Sequence, residues 1–129
     1  MPRSGAIVYT VWNRVGHFIY GGMASRGETA AARGLGPFGR LNSHASGRRS
    51  GDQFCVYVCD RLVLPIVRDR IDDVAAGRAS LDRATRDYVR AELGFRLVLV
   101  TDGREALEVE RLVQRGELAA GRPLLNPLA

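Results

Sequence analysis

A chain of 129 residues, 46% of them apolar, has the length of one domain with a single core and can bury that core without disulfides or a structural metal. No apolar run reaches the ~18 residues of a membrane span, and residues 1–5 carry no apolar leader, which excludes the membrane and secretory classes and leaves a cytoplasmic protein as the expectation. The formal net charge is +5, the sequence pI is about 10.0 and all 19 basic residues are arginine, a balance that suits a polyanionic partner such as DNA.

Residues 6–12, Ala-Ile-Val-Tyr-Thr-Val-Trp, are rich in β-branched and aromatic types and predict a first strand. Asn13-Arg14-Val15-Gly16 predicts a turn, and residues 17–23 a returning strand. With the turn centred between Arg14 and Val15, Tyr9 and Tyr20 are expected directly opposite one another on one sheet face. The Gly- and Ala-rich connection that follows is expected to hold a short helix near 29–33, and Pro37 to open another over 38–46. Residues 46–51, Ser-Gly-Arg-Arg-Ser-Gly, form a basic loop in which Arg48 and Arg49 are candidates for contacting backbone phosphates.

Residues 54–59 are expected as a third strand. A rise of ~3.3 Å per residue would then hold Cys55 and Cys59 ~13 Å apart, too far for a bridge, so buried reduced thiols are expected. Apolar positions 66, 67, 71 and 74 predict a helix over 65–75. Ser80 is placed to cap a second helix reaching Leu93, with 81, 84, 88 and 91 on one face. Residues 95–100 predict a fourth strand. Asp102 and Glu105 open a last helix through Arg115, which Gly116 ends. The whole reads as one α+β domain: a small, mostly antiparallel central sheet flanked by helices, with a helical insertion around 60–94.

In the last helix, Ala106, Val109 and Val113 mark the apolar stripe at ~100° per residue. Glu110 lies beside that stripe, and Glu108 points nearly the opposite way. A carboxylate at the margin of a buried face suits either a hard divalent cation or an arginine partner, and the residues alone leave both open.

Several features follow in a fixed order along the chain. They are Val8-Tyr9, then Ile19-Tyr20-Gly21-Gly22 with Met23-Ala24-Ser25, and then Arg40-Leu41-Asn42-Ser43-His44. Ala106 stands four residues before Glu110, and Pro123 precedes Asn126. This pattern, across residues 8–126, resembles the GIY-YIG nuclease family, whose members include homing endonucleases, the incision subunit of nucleotide excision repair and some restriction enzymes. Ala6 departs from the first glycine of the first signature, and Gly21 from the usual Ile or Val of the second. The long interval from Tyr20 to Arg40 makes Arg26 and Arg33 rival arginines. Arg40 is preferred because Arg40 and His44 are four residues apart and share a helix face.

The resemblance implies a metal-dependent endonuclease. Glu110 would hold Mg²⁺ or Mn²⁺, and Arg40 would grip a non-bridging phosphate oxygen. Tyr9 would be the general base or orient the water, while Tyr20 and His44 would position water and scissile phosphate; which of the three is the base stays open. Gly22 belongs to the signature beside the site, and Asn126 would tie the C-terminal tail there. Arg26 joins Arg48 and Arg49 as a candidate nucleic-acid contact. The rival reading is a catalytically inactive nucleic-acid-binding module that directs a partner to DNA. Either way, a separate DNA-recognition partner or a homodimer is a candidate source of specificity.

Overall fold

The computed structural model describes residues 5–26, 37–100, 103–116, 118 and 121–126. The expected short helix at 29–33, with Arg33, lies outside the described residues, as does Asp102. The architecture is α+β. Strands β1 (Gly5–Asn13), β2 (Phe18–Arg26) and β3 (Leu93–Val100) form an antiparallel sheet in the order β2-β1-β3. The helices are α1 (Pro37–Ser46), α2 (Gln53–Val58), α3 (Leu64–Val67), α4 (Ile71–Ala75), α5 (Leu81–Glu92) and α6 (Gly103–Gln114). The chain divides into two compact units, one of Met1–Asn42 with Leu93–Ala129, the other Ser43–Glu92.

In the first unit the β1–β2 turn is set by two residues. Gly16 takes the left-handed conformation (φ +88°), and the Asn13 side-chain oxygen accepts hydrogen bonds from the Val15 and His17 backbone N–H groups at 3.1 and 2.8 Å. The loop is therefore three residues long, centred on Val15 rather than before it. A second irregularity between Val11 and Trp12 moves the pairing by one more residue, so that Tyr9 faces Gly22 and Val11 faces Tyr20. The expectation that Tyr9 and Tyr20 pair directly is thus corrected: they are diagonal neighbours. Because side chains alternate along a strand, one shift would have put them on opposite faces, and the second returns them to the same face.

β1 is central, and both of its faces are covered: Ile7, Tyr9 and Val11 on one side and Val8 on the other are at most 3% exposed. Val109 of α6 packs with Met23 against Val8. Val113 reaches Gly21, where an added Cβ would sit 3.0 Å from its Cγ1. The helix can come this close to β2 because position 21 has no side chain. The outer edge of β2 is closed by the C-terminal tail: Leu124 and Leu125 donate backbone N–H groups to the carbonyls of Phe18 and Ile19 at 3.1 and 2.9 Å.

In the second unit the expected strand at 54–59 is a helix. Asp52 is in an extended conformation and its Oδ1 accepts the Cys55 N–H at 3.1 Å, an N-cap that outweighs the strand preference of Phe54, Val56, Tyr57 and Val58. The buried positions 54, 55, 58 and 59 recur at helical spacing. Cys55 and Cys59 are free and buried, one helical turn apart, not ~13 Å apart along a strand. The chain stays helical beyond α2 through a π-helical turn at Cys59–Val63, α3, a 3-10 turn at Arg68–Arg70 and α4. Pro65 explains the widened turn. It has no N–H to donate and its ring crowds the carbonyl four residues back, while the Leu64 N–H bonds instead to the Cys59 carbonyl, five residues away.

Candidate active site

Tyr9 and Tyr20 lie on one face of the sheet with ring centroids 6.3 Å apart and planes inclined by 30°, and Phe95 of β3 adds a third ring 6.2 Å from Tyr9. Such offset aromatic pairs hold one another in position. Gly22 lies under this group. A Cβ there would collide with the Tyr9 hydroxyl and ring, so the glycine is what lets the tyrosine lie across β2. Tyr9 is only 1% exposed, whereas Tyr20 is half-buried.

Glu110 approaches the neighbouring residue. The backbone N–H of Met23 favours its charged form. Burial raises the Glu110 carboxyl above its ordinary 4.5, against the opposing pull of that N–H and of the Arg40 and Arg111 charges. Arg40 itself is exposed on α1. One turn further along the β2 edge, Asn126 makes a two-way contact with Gly21: it accepts the Gly21 N–H at 2.7 Å and donates to the Gly21 carbonyl at 3.0 Å. Gln114 of α6 donates to the same carbonyl at 2.9 Å. Tyr9, Tyr20, Gly22, Arg40, Glu110 and Asn126 therefore belong to one unit, but the tyrosine pair lies on the Gly22 face of the sheet, whereas Val109 and Val113 seat α6, which carries Glu110, on the opposite, Val8 face. Gln114 and the Met23 N–H were not anticipated from the sequence. Gln114 sits four residues after Glu110 on α6, which is the signal that would have found it.

Of the remaining candidates, His44, Arg48 and Arg49 belong to the second unit and Arg26 to the first. His44 is four residues after Arg40 on α1, yet it is 2% exposed where Arg40 is exposed, so a shared helix face does not give the two a shared environment. Its Nδ1 lies 2.8 Å from Asp52 Oδ2 and its ring packs on Phe54. Ser43 Oγ donates to the same Asp52 oxygen at 2.7 Å. Burial alone would raise the Asp52 carboxyl, but His44, Ser43 and the Cys55 N–H together hold it below its ordinary 3.8. Cys55, buried beside that charge, is pushed up to about 12 and is an inert thiol. Arg48 is exposed, whereas Arg49 Nε donates to Asp82 Oδ1 at 2.6 Å, a bond that raises Arg49 and lowers Asp82. Arg26 closes β2, paired across to Gly5.

Among the described residues no three His, Cys, Asp or Glu side chains gather into a metal site. The donor set on hand is one partly desolvated carboxylate. That fits a cation such as Mg²⁺, which keeps most of its waters and binds one or two carboxylates plus substrate phosphate, better than a zinc-type ion requiring several protein ligands. Among the described residues no helix is long and apolar enough to cross a membrane. No family model matches the chain, and comparison with curated proteins and with solved structures returns no match.

Proposed function

We propose that the protein is a metal-dependent endonuclease that hydrolyses DNA phosphodiester bonds with a GIY-YIG-like site. The observation that carries this reading is a stacked tyrosine pair seated over Gly22, in the same unit as Glu110, a carboxylate that burial makes costly to ionise and that the Arg40 charge favours in its ionised form. The net charge of +5 agrees with a polyanionic substrate.

Glu110 would hold one Mg²⁺ or Mn²⁺, which supplies positive charge to the phosphoryl oxygens and the leaving 3′ oxygen. Arg40, exposed and planar, would take a non-bridging oxygen through paired N–H groups. Tyr20, the more accessible of the stacked pair, would orient the attacking water and accept its hydrogen bond. Tyr9, nearly inaccessible, would hold Tyr20 in place and shape the hydroxyl array. A tyrosine hydroxyl accepts a proton at neutral pH only when neighbouring positive charge favours phenolate, and Arg40 is the candidate for that charge.

Nicking of supercoiled plasmid with Mg²⁺ or Mn²⁺ tests this. The parent chain should cut and Glu110→Gln should not, because a neutral amide loses most affinity for a hard cation. Glu108→Gln is the matched control and should cut like the parent. Equal cutting by the Glu110→Gln chain would remove the mechanism. If neither the parent nor the variant cuts while both shift DNA in a gel, the inactive binding module that recruits a partner replaces it.

A further inference from the structure

The helical unit has a cavity of about 360 Å³, lined by residues of α3, the Arg68–Arg70 turn, α4, the loop after it and α5. That volume falls in the ~300–1,000 Å³ range of small-molecule sites. Its walls combine two kinds of surface. Val67, Val74, Leu81 and Ala84 give it an apolar side, and three exposed arginines, Arg70, Arg78 and Arg83, line it with one acidic residue, Asp87.

Two of these four charges are already matched. Arg78 is held by Asp73 Oδ1, with both Nε and a terminal nitrogen at 3.0 Å, and Asp87 Oδ1 lies 3.5 Å from Arg86 Nε. Arg70 and Arg83 have no ion-pair partner among the described residues. Two arginines without ion-pair partners, lining one cavity that also has valine and leucine in its wall, suit an anion with an organic body: planar guanidinium donors match phosphate oxygens, and the apolar residues match a base or sugar. This assignment concerns residues remote in sequence from the tyrosines and Glu110, and it does not depend on cleavage.

We infer that this cavity binds an organic phosphate of the nucleotide class through Arg70 and Arg83. The ligand is either a free nucleoside monophosphate or a nucleotide of a nucleic-acid strand, since both present the same phosphate and base.

The test is titration calorimetry on the full chain in EDTA, so that loss of nuclease activity does not affect the readout. The probes are dAMP, adenosine and inorganic phosphate. The expected result is saturable dAMP binding, weakened about tenfold or more in Arg70→Gln/Arg83→Gln as charge-assisted bonds are lost. Ala84→Leu fills the cavity while keeping every charge, and should weaken dAMP comparably. Adenosine and inorganic phosphate should each bind more weakly than dAMP. Displacement of dAMP by a short single-stranded oligonucleotide identifies a strand as the source, and failure to displace it identifies the free nucleotide. No dAMP binding by the parent, unchanged binding by both variants, or phosphate binding as tightly as dAMP overturns the assignment. Circular dichroism melts confirm that the variants are folded, which the solvent-facing positions of Arg70 and Arg83 favour.

Discussion

Glu110 is the residue at which burial opposes charge. Its folded-state carboxyl is raised above 4.5, so between 4.5 and the raised value the folded chain binds more protons than the unfolded chain. The sign follows: the contribution of Glu110 to stability is greatest below 4.5 and declines as pH rises through the folded value. Glu110→Gln should lose this dependence, and a plot of its stability minus that of the parent should climb across the same window in urea titrations. A flat difference would mean that burial of Glu110 has no energetic consequence. Adding Mg²⁺ above that window should stabilise the parent and leave Glu110→Gln unchanged, because only a charged carboxylate gains from the ion. Gly22 offers a second test at this scale. Gly22→Ala puts a methyl group into the Tyr9 hydroxyl, so the ring must move or the strands must part, at a cost of about 1–3 kcal/mol. Cleavage should fall further than stability, since the displaced group is the tyrosine pair. Parent-like nicking by a folded Gly22→Ala chain would show that this packing is not needed for activity.

At the scale of elements, Asp52 decides what residues 53–58 become. One carboxylate caps α2 through the Cys55 N–H and receives Ser43 and His44. Asp52→Ala removes the cap and strands the buried His44 ring, so a loss of roughly 2–4 kcal/mol is expected in chemical denaturation. Because the folded Asp52 carboxyl is held below 3.8, its contribution is complete above that value and is lost as pH falls through the folded one. Parent and Asp52→Ala stabilities should therefore converge in acid, and a gap that persists there would contradict the ionic account. The strand expectation for 54–59 failed at this element. Side chains of high strand preference filled the segment, and the capping residue two positions earlier was the better guide.

At the scale of the whole molecule, a net charge of +5 favours approach of any polyanion, DNA included, but does not say which arginines would touch one. Arg48 and Arg49 differ. Arg49 is engaged with Asp82, and Gly47 beside them packs so closely on α5 that a Cβ would meet the backbone of Asp82 and Arg86, so this loop is held to its helix. Arg48→Ala should flatten the slope of log K against log salt by about 0.9, one phosphate contact on B-DNA, with equal loss for all sequences. Arg49→Ala should lose more affinity, since it also leaves the Asp82 carboxylate unneutralised facing the polyanion. An unchanged slope for Arg48→Ala would take the loop out of the DNA interface.

Local pattern carried what the sequence determined unaided. The β-branched and aromatic content of 6–12 and the turn at 13–16 placed two strands, the stripe through Val109 and Val113 placed Glu110 at the margin of a buried face, and Pro37 and Ser80 marked where helices begin. These are local rules, satisfied by residues within a turn or two of one another. Register was beyond them. The Tyr9–Tyr20 offset arises from a left-handed Gly16 and an irregularity at Val11, and only the summed pairing of β1 with its neighbours selects that alignment. The partners of the candidate site were also undetermined. Asn126 meets Gly21 across 105 positions and Gln114 meets the same residue across 93. Those backbone groups need partners because β2 is an edge strand, and which strand forms an edge is decided when the sheet assembles.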